Sequence, residues 1–135
     1  MHLRFWNPSA LVALLSLALA ACPSVEPQGD LMDETAESFV KLVLAVGQHD
    51  TDYVDAYFGP EEWKLEARES ALTLEEIRQR ATDALEALSA VKEGDDRLTT
   101  ARHKFMGKSL ESLMARVDLL SGVPMTFDEE SAALY

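Results

Sequence analysis

Two long runs of apolar residues at helical spacing dominate the second half of this chain. From Leu74 to Val91, and again from Leu98 to Leu120, an apolar residue recurs every three or four positions. Such spacing places apolar side chains along one face of an α-helix. Because only a short polar segment around Gly94 separates the two runs, we expect the two helices to form an antiparallel hairpin.

Local signals mark the ends of the two predicted helices. Thr73 and Glu76 form a capping box, in which each side chain accepts a hydrogen bond from the other residue's backbone N–H. Asp95 or Asp96 can cap the second helix, and Gly122-Val123-Pro124 ends it.

A third predicted helix runs from Asp33 to Val46 and is apolar on most of its sides, so it should lie at the centre of its domain. Asp30 or Asp33 can cap its start, and Gly47 can end it. Since no segment alternates with a period of two, the sequence predicts an all-α fold. We expect a small array of about five to six helices around the long-helix hairpin.

Shorter helices are predicted on either side of the hairpin. Asp50 can cap a two-turn helix that extends to Phe58, because Gly59-Pro60 is a stop signal. Another helix should run from Pro60 to about Glu69. Residues 126–129 form a second capping box, which opens a helix that does not continue past Tyr135. We therefore expect this chain to be the front of a longer protein.

The apolar faces of these helices should meet in one core. Leu98 and Ala101 lie on the same predicted face of the second long helix as Phe105. We expect the core to include Phe39, Val43, Leu85, Leu88, Phe105, Leu113 and Val117.

The start of the chain has the features of a signal peptide. Arg4 precedes an apolar run from Ala10 to Ala21, which is too short to span a bilayer. The run ends in Leu19-Ala20-Ala21-Cys22, which resembles a bacterial lipobox, where the cysteine receives a diacylglyceryl group and becomes the new N-terminus. We predict a lipoprotein signal peptide over 1–21 and a mature protein anchored through Cys22 in the cell envelope of a bacterium, facing the periplasm or the exterior. The alternative is an ordinary secretory signal.

Residues 22–30 contain two prolines and a glycine and are predicted to be a flexible tether. This leaves 31–135 as the helical domain, which we expect to be truncated at its C-terminal end. The full sequence has a net charge of −12, and signal removal takes away one basic residue and no acidic one. Such acidity repels phosphate groups, which argues against nucleic acid and against an electrostatic membrane contact. Anchoring should therefore come from the lipid on Cys22, which is the only cysteine and so excludes an intramolecular disulfide.

The segment 49–52 (His-Asp-Thr-Asp) is the best candidate for a metal or acid–base site. Zinc sites take three or four protein ligands, and neither His103 nor a cysteine is near this segment in sequence. His103 lies beside Arg102 and Lys104 and is expected to be solvated, and the nearby serines have no histidine at a suitable spacing. We predict no catalytic residue, no metal site and no cofactor site in this chain.

Four aromatic residues gather within eleven positions around Gly59-Pro60. They can pack against neighbouring helices, which we favour, or they can line a surface for a ligand or partner. The four are Tyr53, Tyr57, Phe58 and Trp63.

Two blocks of the sequence resemble a known family. The first runs from Phe39 to Asp50 and continues from Asp52 through Tyr53-Val54-Asp55-Ala56-Tyr57 to Gly59-Pro60-Glu61-Glu62-Trp63. The second is Leu119-Leu120-Ser121-Gly122, followed by Phe127-Asp128-Glu129-Glu130-Ser131 and Ala133-Leu134-Tyr135. Both are similar to the N-terminal helical region of a bacterial lipoprotein family regarded as zinc metallopeptidases and classified mainly as a domain of unknown function. The zinc motif of that family, His-Glu-Gly-Tyr-Pro-Gly-His-His, does not occur in this chain.

The resemblance implies a lipid-anchored helical portion of a zinc metallohydrolase, which packs against a downstream catalytic domain. Zinc is then expected only in a longer family member. The other hypothesis is a free-standing small helical lipoprotein that binds a protein partner through its aromatic segment. The reading frame beyond Tyr135 separates the two hypotheses.

Overall fold

The computed structural model describes residues 28–91 and 96–134. Five helices occupy these ranges: α1 (Gln28–Val46), α2 (Glu61–Ser70), α3 (Leu74–Ala90), α4 (Arg97–Leu120) and α5 (Phe127–Leu134). No strand occurs in the described ranges, so the all-α prediction is confirmed. Within the same ranges no helix is both long and apolar enough to cross a bilayer. The predicted signal peptide, Cys22, most of the tether and the turn at Gly94 lie outside the described residues.

The predicted hairpin of long helices is confirmed by the contacts between α3 and α4. Arg78 of α3 pairs with Asp118 of α4 (Nε–Oδ1 2.6 Å), and one turn later Thr82 contacts the sulfur of Met114 (3.6 Å). At the other end of α3, the carbonyl of Leu88 accepts a hydrogen bond from His103 Nε2 (3.0 Å). Later positions on α3 thus meet earlier positions on α4, which is the antiparallel arrangement.

The central helix α1 runs parallel to α4. Asp33 near its start pairs with Arg102 (3.0 Å), and Asp50 just beyond its end pairs with Arg116. The helix begins at Gln28, inside the segment predicted as a tether, so Asp30 and Asp33 are not its N-cap as predicted. Its end at Val46 agrees with the stop signal at Gly47.

The core lies between α1, α3 and α4. Leu88, Leu113 and Val117 are buried as predicted, while Phe39, Val43 and Leu85 are half-buried against this core. The remaining buried core residues are Met32, Leu42, Ala45, Val46, Ile77, Ala81, Ala84, Val91, Met106 and Leu110.

The predicted burial of Phe105 is wrong, because its side chain is 69 % exposed. Leu98 and Ala101, on the same face, are exposed as well. Met106 is the residue of this turn that faces the core, and adjacent helical residues are rotated by about 100° from each other. The first half of α4 therefore presents a second apolar stripe, beside the buried one, to the outside.

The capping signals of α3 and α4 are confirmed. Thr73 and Glu76 make both hydrogen bonds of a capping box, and Asp96 accepts the backbone N–H groups of Leu98 and Thr99 at the start of α4. At the end of α4, Gly122 has a φ of +81°. The N–H groups of residues 122 and 123 donate to the carbonyls of residues 119 and 118, a Schellman motif.

The predicted helix from Asp50 to Phe58 is wrong. Residues 50–60 form turns and bends without regular secondary structure, and Asp50 caps no helix. Its carboxylate instead accepts the Asp52 N–H (3.3 Å) and the guanidinium of Arg116. An isolated two-turn helix is marginal, so these contacts with α4 determine the conformation of the segment.

Candidate interaction surface

The structure separates the four aromatic residues singled out from the sequence. Tyr53 is half-buried and packs against the core. Tyr57 donates a hydrogen bond to the Pro60 carbonyl (3.1 Å), and Trp63 lines a cavity against α1. Phe58 is 98 % exposed, so packing against neighbouring helices is wrong for this residue.

The loop that carries Phe58 is fastened to α4 by Arg116. Arg116 Nε donates to Asp50 Oδ2 (3.0 Å), and its Nη2 donates to the same oxygen. The hydrogen bond from Arg116 holds the pKa of the Asp50 carboxyl below its ordinary value. Tyr53 lies beside this pair, and burial raises the pKa of its phenol. The start of the loop is therefore fixed, although its tip projects.

Phe58 is one of three exposed apolar residues at one end of the molecule. The loop 50–60 follows the C-terminal end of α1, while Val123 and Phe127 follow the C-terminal end of α4, which runs parallel to α1. Phe127 is 83 % exposed, and Val123 is exposed as well. We call Phe58, Val123 and Phe127 the distal surface, since it lies at the end opposite the start of α1. Exposed large apolar side chains of this kind are candidates for contact with another molecule.

A groove between α4 and α5 lies along the side of the molecule. It has a volume of about 710 Å³, and Phe39, Tyr53, Phe105 and Leu134 supply its apolar walls. Ser112 Oγ, inside this groove, donates to the Leu134 carbonyl (3.1 Å), so its hydroxyl fixes the end of α5.

A smaller cavity of about 290 Å³ lies between α1, α2 and α3. At its edge Lys41 Nζ stands 5.7 Å from the centre of the Trp63 ring and pairs with Glu66 (2.8 Å) and Glu37 (3.1 Å). These hydrogen bonds raise the pKa of Lys41. The cavity is at the lower end of the range of about 300–1,000 Å³ that is usual for ligand sites, and its cation already has two partners.

His49 and His103, the histidines within the described residues, have structural partners. His49 Nε2 lies 2.6 Å from the Leu72 carbonyl, and because a carbonyl only accepts, this nitrogen carries the proton. His103, predicted to be solvated, is half-buried and donates to Leu88 in the same way. Among the residues that the structure describes, no three His, Cys, Asp or Glu side chains are grouped so that they could hold a metal ion.

Sequence reasoning missed Arg116 and Phe127. Arg116 is a charged residue inside the apolar run Leu113–Val117, which is a signal for a partnered cation, but its partner Asp50 is 66 positions away. Phe127 follows the capping threonine directly, and a first-turn position does not indicate which way the ring faces.

Comparison with known proteins gives no relative. The chain matches no protein-family model, no curated protein sequence and no solved structure. The functional argument therefore depends on the residues and the surfaces described above.

Proposed function

We propose that this chain is the helical N-terminal portion of a lipid-anchored zinc metallohydrolase of the bacterial cell envelope. In this proposal the chain supplies no catalytic residue, and its distal surface packs against the catalytic domain. The observation that carries the proposal is the exposure of Phe58 and Phe127 at one end of the molecule. The identity of the partner comes from the sequence resemblance.

The position of the distal surface suits this role. Helix α1 contains 19 residues, so its two ends lie about 28 Å apart at 1.5 Å per residue. The first residue of α1 is six positions after Cys22, whereas the distal surface lies near the last residue of α1. A domain docked on the distal surface would stand away from a membrane that holds the acylated Cys22.

Phe58 and Phe127 contribute little to the free energy of folding of this chain, because an apolar side chain stabilises a fold only when it leaves water. Docked on a second domain, each ring would bury most of its surface and contribute on the order of 1.5–3 kcal/mol. Removal of these aromatic rings is thus expected to destabilise the longer protein and to leave the stability of the 135-residue chain nearly unchanged.

The test compares the same substitutions in the two lengths of protein. Phe58→Ser and Phe127→Ser should leave the melting temperature of the 135-residue chain almost unchanged and should lower that of the protein encoded by the frame beyond Tyr135. Leu65→Ser is the matched control, since Leu65 is a partly exposed apolar residue of α2 outside the distal surface. A frame that stops, or one that lacks a His-Glu…His-His motif, rules out the metallohydrolase proposal.

The second candidate function is a free-standing lipoprotein that binds a separate protein. The fastening of the loop by Asp50 and Arg116 favours it, because a pre-ordered loop loses little entropy when an aromatic anchor such as Phe58 binds. A photoreactive amino acid at position 58 should then crosslink one cell-envelope protein, and the same group at position 65 should not.

A further inference from the structure

The first half of α4 carries an unusual exposed face. Leu98, Ala101 and Phe105 follow one another at spacings of three and four, so they lie along one side of the helix. Leu98 is 71 % exposed and Phe105 69 % exposed. This stripe is separate from the distal surface, because it lies near the start of α4.

Basic residues flank the apolar stripe on both sides. Residues 97–108 contain four of the twelve lysines and arginines and no acidic residue, in a chain with 24 acids. At 100° per residue, Arg97, Lys104 and Lys108 fall on one side of the stripe and Arg102 on the other. We call the stripe and these four residues the basic apolar face.

Part of this positive charge has no partner within the described ranges, 28–91 and 96–134. The side chains of Arg97 and Lys104 make no salt bridge with any residue there. Arg102 pairs with Asp33, and Lys108 pairs with Glu111, in salt bridges that are open to solvent. Exposed pairs of this kind are weak, so these two cations can exchange partners.

The basic apolar face covers the first half of α4, which lies beside the start of α1. Six chain steps from Cys22 to Gln28 span at most about 20 Å. Asp33 is one and a half turns into α1 and contacts Arg102, which is within about one turn of both Leu98 and Phe105. A lipid on Cys22 would therefore hold this face within reach of the bilayer.

We propose that the basic apolar face lies on an anionic lipid bilayer and orients the anchored protein. The proposal rests on the lipid anchor of the proposed function and does not depend on zinc chemistry. Arg97 and Lys104 would contact lipid phosphates, while Leu98 and Phe105 would enter the interface between headgroups and acyl chains.

The net charge of the chain does not prevent this contact. Charges separated by more than a Debye length, about 8 Å at physiological ionic strength, are largely screened. Acidic residues on the other helix surfaces therefore act weakly at the bilayer. Asp33, Glu111 and the cap residue Asp96 do lie beside the face, and the first two pair with Arg102 and Lys108, so the positive charge that acts at the bilayer comes mainly from Arg97 and Lys104. The overall acidity of the chain argues against an electrostatic membrane contact of its average surface. It does not argue against such a contact of the basic apolar face.

A depth measurement with a single tryptophan tests the proposal. Trp6 and Trp63 are the only tryptophans, and signal cleavage removes the first, so Trp63→Phe gives a mature protein without one. Into this background Phe105→Trp is introduced, with Phe127→Trp as the control on the distal surface. Each acylated protein is purified from membranes, and mass spectrometry verifies the acyl groups on Cys22. The proteins are then placed in vesicles of equal parts phosphatidylcholine and phosphatidylglycerol that contain brominated acyl chains.

We expect the tryptophan at position 105 to be quenched several-fold more strongly than the tryptophan at position 127. Arg97→Glu with Lys104→Glu should abolish the difference, and so should high salt, whereas Arg80→Glu, a charge reversal on α3, should not. Equal quenching at the two positions overturns the proposal while leaving the anchor intact. Protection of position 105 from aqueous acrylamide without quenching by brominated lipid also overturns it and identifies a protein interface instead. An unmodified Cys22 overturns both this proposal and the lipid anchor.

Discussion

At Gly107 and Gly122 the same substitution, glycine to alanine, can be compared in two backbone conformations. Gly107 lies inside α4, and a Cβ added there would stand 3.7 Å from Leu88 Cδ2, which is ordinary van der Waals contact. Glycine inside a helix costs about 1 kcal/mol relative to alanine. Because the added methyl group meets no obstacle, Gly107→Ala should stabilise the protein by about 1 kcal/mol.

Gly122 should respond with the opposite sign. No atom lies within 4 Å of an added Cβ, so a clash is not the obstacle, but the φ of +81° is in the left-handed region. An L-residue there costs roughly 1–2 kcal/mol. Gly122→Ala should therefore destabilise the protein by about 1 kcal/mol, although it has more free space than Gly107.

Thermal unfolding followed by far-UV circular dichroism measures both changes. In a domain of about 100 residues, 1 kcal/mol corresponds to a shift in Tm of about 4–8 °C, so the two variants should melt on opposite sides of the wild type. A lower stability of Gly107→Ala would show that Leu88 cannot accommodate the methyl group. Equal shifts of both variants in the same direction would refute the reasoning from φ.

Three further predictions follow from the anchor, the core and the Asp50–Arg116 pair. Mass spectrometry of protein extracted from membranes should find an acylated N-terminus at Cys22, and a free thiol there would contradict the lipobox. Leu88→Ala should cost about 2–5 kcal/mol in urea unfolding, because Leu88 is fully buried, and a neutral effect would contradict the core assignment. The pKa of Asp50 is lowered in the folded state, so this carboxylate stabilises the fold at pH values above the ordinary carboxyl pKa. That stabilisation is lost as the pH falls through the lowered pKa of the folded state. Asp50→Asn should therefore melt below the wild type near neutral pH, with a gap that closes in acid; a gap independent of pH would contradict the ion pair.

The long helices and their ends could be predicted because their signals are local. The Thr73–Glu76 box, the Asp96 cap and the Gly122 turn each satisfy backbone groups within a few residues of themselves. The apolar periods of α3 and α4 are long enough to identify the helices, and the short connection between them leaves only an antiparallel packing.

The conformation of residues 50–60 could not be predicted in the same way. Its start is held by Arg116, which is 66 positions further along the chain, and no local pattern identifies that partner. A short segment rich in turn residues can adopt a helix or an extended loop at similar cost. The long-range ion pair, and not the local propensity, decides between the two.

The side of α4 that faces the core is the second feature that could not be predicted from the sequence. Its first half has apolar residues on two adjacent stripes, one through Met106 and Leu110 and one through Leu98 and Phe105. Periodicity identifies a helix from either stripe, but only the positions of α1 and α3 determine which stripe is buried.

The two wrong predictions of burial, for Phe58 and Phe105, have a common meaning. Apolar patterning predicted a packed environment for both rings, and both are largely exposed in the described part of the chain. Departures from local consistency are concentrated where a protein meets something else. Phe105 lines the groove between α4 and α5, whereas Phe58 lies on the loop that follows α1, so the two rings belong to different surfaces. Under the two proposals above, the bilayer would contact the first half of α4 and the protein domain would contact the loop beyond α1, so the two contacts would not use the same residues.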